Sequence, residues 1–99
     1  MTRIELAPEV CDDFARFFDR IAQYDSGAGP GRIAEILDVI HILGHSPLIG
    51  RPVQGGKREL VIGRASRGHV ALYHFVAAID TVFVLAVRGQ RKEGYQRER

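Results

Sequence analysis

The sequence predicts an α+β domain in the order β-α-α-β-β-β, a helical hairpin packed on one face of a small twisted antiparallel sheet. Three observations lead there. Two amphipathic helical stretches in the first half are separated by a turn rich in Gly and Pro. Three apolar runs follow in the second half at hairpin spacing. Ninety-nine residues, 45% of them hydrophobic, suffice for one modest core, so residues 1–99 are expected to form a single domain.

Residues 2–6 alternate polar and apolar and read as a short strand. Pro8 suits the first position of a helix, where its missing N–H costs nothing, and Glu9 suits the positive end of the helix dipole. Val10, Phe14, Phe17, Phe18 and Ile21 then recur at helical spacing, with Asp12, Asp13, Arg16, Asp19 and Arg20 assigned to the outer side, to about Tyr24. The phenylalanine cluster is either all core, or leaves one ring, with Tyr24, for a partner. Residues 25–31 hold three glycines and a proline and are read as a turn. No Gly-Lys-Ser/Thr and no preceding strand accompany them, so a phosphate loop is not expected. A second helix is predicted over 32–44, with Ile33, Ile36, Leu37, Ile40 and Leu43 as its apolar stripe and Gly44 as its cap. Residues 46–56 read as a connection. Strands follow at about 57–63, 69–77 and 81–88, the last two apolar on both faces as at the centre of a sheet.

Composition narrows the function classes. No apolar run approaches the roughly 18 residues that span a bilayer, and the N-terminus lacks the apolar core of a signal peptide. A cytoplasmic protein without membrane partners is expected. The single cysteine, Cys11, stands beside two aspartates that oppose thiolate formation, and is read as an ordinary helix side chain. The four histidines form no cluster with cysteine or acid at ligand spacing, so neither a metal nor another cofactor is expected. The net charge of +2 hides an asymmetry. The first 50 residues carry 4 basic and 8 acidic side chains, and the remaining 49 carry 10 and 4, so the total divides into −4 and +6. A basic face directed at an anionic partner follows, either nucleic acid or an acidic protein.

Residues 82–95 concentrate the functional signal. An apolar strand ends at Arg88, followed by Arg91, Lys92 and Tyr95. Cations and a phenol presented from a rigid base suit a phosphate, a carboxylate or an acidic protein surface. A strand end followed by a solvated tail has the same composition.

Two segments carry a resemblance. Ser46-Pro47-Leu48-Ile49-Gly50-Arg51-Pro52, followed by Arg58-Glu59-Leu60-Val61-Ile62, resembles a loop into the second strand, and Val87-Arg88-Gly89-Gln90-Arg91-Lys92-Glu93-Gly94-Tyr95 a last strand and C-terminal segment, of the RelE/ParE superfamily. These are the toxins of type II toxin-antitoxin modules. The resemblance spans the whole chain and is greatest to the ParE-like branch, often described as plasmid stabilisation proteins. Gly89 stands where many relatives carry a histidine, so no role of that histidine is carried over.

The resemblance implies one of two activities. ParE-like members inhibit DNA gyrase by binding it, whereas RelE-like members are ribosome-dependent, metal-independent mRNA endonucleases. RNA cleavage through the 2′-OH requires a base, cations and an acid. Cations are present at Arg51, Lys57, Arg58, Arg64, Arg67, Arg88 and Arg91, and acid/base candidates at Glu59, His69, Tyr73, His74 and Tyr95. Strand alternation lets only one of His69 and His74 face the open side of the sheet. A structural place under the helices suits His74, and plain solvation suits His69. Arg64, Arg88, Arg91 and Tyr95 are the catalytic candidates for a nuclease. However, the middle strands are apolar where RelE-like nucleases carry paired lysines and arginines, and the binding reading is favoured. It assigns recognition of target or antitoxin to Arg58, Arg67, Arg88, Arg91, Lys92 and Tyr95, makes a cognate antitoxin and gyrase the partners, and leaves direct nucleic-acid binding open but not favoured. A plain interaction module without a toxic target is the third class.

Overall fold

The computed structural model describes residues 1–24, 29–63 and 68–89. Five strands form one sheet: β1 (Arg3–Leu6), β2 (Arg51–Val53), β3 (Lys57–Ile62), β4 (His69–Val76) and β5 (Thr81–Gly89). Helices α1 (Pro8–Tyr24) and α2 (Gly29–Ile40) lie between β1 and β2. The strand order is β1-β5-β4-β3-β2.

The expected α+β order is present, with three adjustments. The sheet is mixed rather than antiparallel, because β1 pairs parallel with β5, from Arg3 opposite Thr81 to Leu6 opposite Val84. Hairpin spacing dictates the neighbours of β3, β4 and β5 but carries no information on where a first strand, separated by two helices, will dock. The stretch read as a connection contains β2, three residues antiparallel to β3 with Arg51 opposite Glu59. The second helix starts three residues earlier than predicted, with Pro30 in its first turn, and gives way to a 3-10 turn over His41–Gly44. Gly44 does not close that turn in a left-handed conformation. Its carbonyl accepts the Thr2 N–H at 2.8 Å, and a Cβ there would stand 3.2 Å from Met1. Close packing of the chain start, not backbone sign, explains this glycine.

The helices cover one side of the sheet. Val10, Ile36, Ile40 and Leu43 meet Leu60, Ile62, Ala71, Tyr73, Val82, Val84 and Val87 in a single core, with Phe14, Phe17 and Phe75 packed at its margin. Phe18 is left 42% exposed, so the phenylalanine cluster is not all core.

Asp13 overturns the assignment of α1's polar side. It sits at i+3 from Val10, among the residues facing the sheet, and is only 1% exposed. Its Oδ2 accepts the backbone N–H of Val87 at 2.9 Å, and its Oδ1 is paired with Arg16. The reason lies in β5. Leu72 pairs with Ala86 but Tyr73 pairs with Val84, so Leu85 is an extra residue, a β-bulge. A bulge interrupts the ladder locally, and the Asp13 carboxylate satisfies a nearby backbone donor that would otherwise be buried at a cost of about 1–3 kcal/mol. The charge pattern of α1 could not show this, because the demand arises on a strand more than 70 residues away.

Candidate functional site

Register divides the sheet's residues between two faces. Arg58 opposes Tyr73, Leu60 opposes Ala71, and Ile62 opposes His69, all on the helix side. The alternation grouping of His69, Ala71, Tyr73 and Phe75 therefore holds, but the expected environments of the two histidines are reversed. His69 is not a solvated turn residue: its ring packs on Phe17, centroids 5.0 Å apart, beneath α1. His74 is not under the helices and belongs to the open face.

The helix side also takes two candidates out of solvent. Tyr73 is fully buried, and its hydroxyl accepts the Gly50 N–H at 2.9 Å. Burial pushes its phenol above the ordinary value, while the Gly50 hydrogen bond and the Arg58 guanidinium draw it partly back. An acid or base so enclosed cannot reach a substrate. Arg58 is half-buried and donates through Nη1 to the carbonyls of Leu48, at 3.1 Å, and Gly50, at 2.8 Å. A Cβ on Gly50 would lie 2.7 Å from the Glu59 carbonyl and the Tyr73 ring. Arg58, Tyr73 and Gly50 together hold the 46–50 loop against the sheet, which presents Leu48 and Ile49, each more than half exposed, on a fixed backbone. The motif Ser46–Pro52 with Arg58 was visible in sequence; its mechanical connection through Tyr73 was not, because Tyr73 lies 23 residues from Gly50.

The open face carries Arg51 and Val53 from β2, Lys57, Glu59 and Val61 from β3, and Val70, Leu72 and His74 from β4. Phe83 and Arg88 of β5 stand opposite His74 and Val70. Arg51 is ion-paired with Glu59 at 2.9 Å. Arg88 lies inside β5, which runs one residue beyond it, is half-buried, and donates to the Gly89 carbonyl at 3.0 Å. His74 Nδ1 lies 3.0 Å from the Gly56 carbonyl. A carbonyl only accepts, so Nδ1 carries the proton. Gly55, Lys57, His74, Phe83 and Leu85 line a depression of about 340 Å³ on this face. Arg64, Arg67, Arg91, Lys92 and Tyr95 lie outside the described residues, so of the proposed recognition set the structure places only Arg58 and Arg88, on opposite faces.

Among the described residues no group of three or more His, Cys, Asp and Glu side chains is placed to hold a metal ion, and Cys11 is exposed on α1. No helix among them is long and apolar enough to cross a membrane.

A helical hairpin on one face of a β1-β5-β4-β3-β2 sheet, with no described helix on the opposite face, decides the comparison with known folds. The chain has the RelE/ParE toxin superfamily fold. It superposes on a chain of the chromosomal ParDE TA system from P. aeruginosa with a TM-score of 0.76 at 15% identity, covering 90% of this chain and 96% of that one. A chain of the intact E. coli RelBE toxin-antitoxin complex gives 0.62 at 12% identity, with 94% and 100% covered. A chain of the toxin-antitoxin complex RelBE2 from Mycobacterium tuberculosis gives 0.57 at 17%, with 90% and 98% covered. No family model and no curated protein matches the sequence. The RelE/ParE likeness is thus carried by backbone geometry, which persists where identities have fallen below a fifth.

Proposed function

We propose that this chain is the toxin of a type II toxin-antitoxin module, that it acts in the cytoplasm by binding and inhibiting DNA gyrase, and that a cognate antitoxin neutralises it. The fold and the complexes that share it support the toxin and antitoxin parts of this reading. The choice of binding over RNA cleavage rests on one observation: the acid/base candidates among the described residues are split between the two faces. Tyr73 and His69 lie beneath the helices, and Glu59 is ion-paired with Arg51. His74 alone combines an imidazole with the open face, and its Nδ1 is engaged by Gly56. A general base and a general acid on either side of one phosphate are not assembled there by the described residues. Val61, Leu72 and Phe83, exposed or half-buried, give that face the apolar character of a protein-binding surface rather than of a phosphate track. Arg88 supplies a cation to that face, Arg67, Arg91, Lys92 and Tyr95 complete the recognition set on the strength of the sequence alone, and Arg58 contributes by holding the loop that leads into β2.

The test sets purified protein against gyrase in a supercoiling assay, beside the same protein with translating ribosomes and mRNA. Loss of supercoiling with intact mRNA is the expected result. Ribosome-dependent cleavage with normal supercoiling would replace the gyrase reading by the nuclease one, and normal growth of a bacterial host on overexpression would leave only the interaction module.

A further inference from the structure

The depression on the open face combines a cation with an apolar floor. His74 stands opposite Phe83 across the β4–β5 ladder, and Lys57 is adjacent to His74 across β3–β4, since Arg58 opposes Tyr73. The Lys57 ammonium folds back over the Gly55–Gly56 turn: a Cβ built on Gly55 would stand 3.0 Å from its Nζ. His74 is tied to the same turn through the Gly56 carbonyl. Gly55 and Gly56 both have positive φ, 79° and 73°, which L side chains rarely adopt and which lets the turn fold back beside these two side chains. Phe83 and Leu85 form the floor. Ion pairs among the described residues join Arg3 to Glu5, Arg16 to Asp13, and Arg51 to Glu59, and none of these engages Lys57.

We propose that this depression is an anchor site for an acidic peptide segment, seating one apolar side chain on Phe83 and Leu85 and holding a neighbouring carboxylate on Lys57. The partner that supplies the segment is the antitoxin, and that attribution rests on the toxin reading above. A volume of about 340 Å³ accepts one or two side chains. The charge balance favours a lone carboxylate over a nucleic-acid strand. A strand needs a succession of cations along its phosphates. Here Lys57 is flanked on the same face by Glu59, two residues along β3, and Phe83 by Glu5 across β5–β1. Both carboxylates are paired, with Arg51 and Arg3, so of the cations described around the depression these two are engaged, and the single ammonium of Lys57 suits one carboxylate rather than a succession of phosphates. His74 walls the site and positions the turn against which Lys57 folds.

The intact chain, isotopically labelled, is titrated with N-acetylphenylalanine, with its carboxamide, and with adenosine monophosphate, and binding is read by NMR shifts at the His74 ring and at the Phe83 and Leu85 amides. N-acetylphenylalanine is expected to saturate these signals. The carboxamide, and the carboxylate on Lys57→Ala, are expected to bind about tenfold more weakly, the loss typical of one charge-assisted hydrogen bond. Lys57→Arg should restore binding, and an unchanged spectrum of the free variants checks that they fold. Equal binding of the carboxamide, tighter binding of the nucleotide, shifts elsewhere on the sheet, or occupation of the site by a second copy of the chain at higher concentration would each overturn the proposal. The gyrase assay is independent: intact supercoiling with carboxylate binding sinks the gyrase reading and keeps the site.

Discussion

The two faces of the sheet differ in how their polar groups are satisfied. On the helix side Asp13 and Tyr73 are buried and Arg58 is half-buried, and all three serve the backbone: Asp13 takes the Val87 N–H, Tyr73 takes the Gly50 N–H, and Arg58 serves two carbonyls of the 46–50 loop. On the open face the contacts are exposed, as in the Arg51–Glu59 pair between neighbouring strands and the contact of His74 with the Gly56 carbonyl. The difference teaches where perturbation should register. Buried donors and acceptors that lose a partner cost stability, whereas exposed charges cost little and are available for recognition.

The sharpest way to break the helix side is Gly50→Ala. The new Cβ would collide with the Glu59 carbonyl and the Tyr73 ring, and a loss of about 3 kcal/mol in chemical denaturation is expected for such overpacking. Asp13→Ala should follow at about 2 kcal/mol, by leaving the Val87 N–H without its acceptor. Asp13→Asn, which retains an acceptor, should recover part of that loss in the same measurement.

Tyr73→Phe should cost about 1–2 kcal/mol near neutral pH through the Gly50 N–H. It also tests a pH dependence. The folded phenol titrates above its unfolded value, so its contribution is fully present below the unfolded pKa, near 10, and declines as pH rises through the folded one. Denaturation midpoints of the parent chain should fall in that alkaline window, and the Tyr73→Phe variant should lack this component.

On the open face Arg88→Glu should weaken antitoxin binding or toxicity about tenfold, measured by calorimetric titration or by growth arrest. If neither moves, Arg88 is structural. The smallest effect belongs to Arg51→Ala, at or below about 0.5 kcal/mol, since its guanidinium is largely exposed.

Local pattern made much of the fold legible. Period 3.6 in Val10, Phe14 and Phe17 located α1, and hairpin gaps ordered β3, β4 and β5. The same reasoning misplaced Asp13, because a charged residue at a core-facing position is informative only once its acceptor role is known. It also reversed the surroundings of His69 and His74: alternation shows that the two lie on opposite faces but not which face the helices cover. Of the site, Arg88 and the Ser46–Pro52 motif were visible as composition. The Lys57–His74–Phe83 arrangement was not, because it joins three strands across the sheet.

By itself the amino-acid sequence determined what short-range forces govern: the helical hairpin, the three consecutive antiparallel strands, one core and a basic second half. Only the tertiary structure decided what depends on long-range pairing. It set β1 parallel to β5, placed the bulge at Leu85 with Asp13 as its remedy, and sent Tyr73 and His74 to opposite faces. The physical reason is common to all of these. A buried backbone or side-chain polar group must find a partner wherever the chain brings one, and that partner lies at a sequence distance no local pattern encodes.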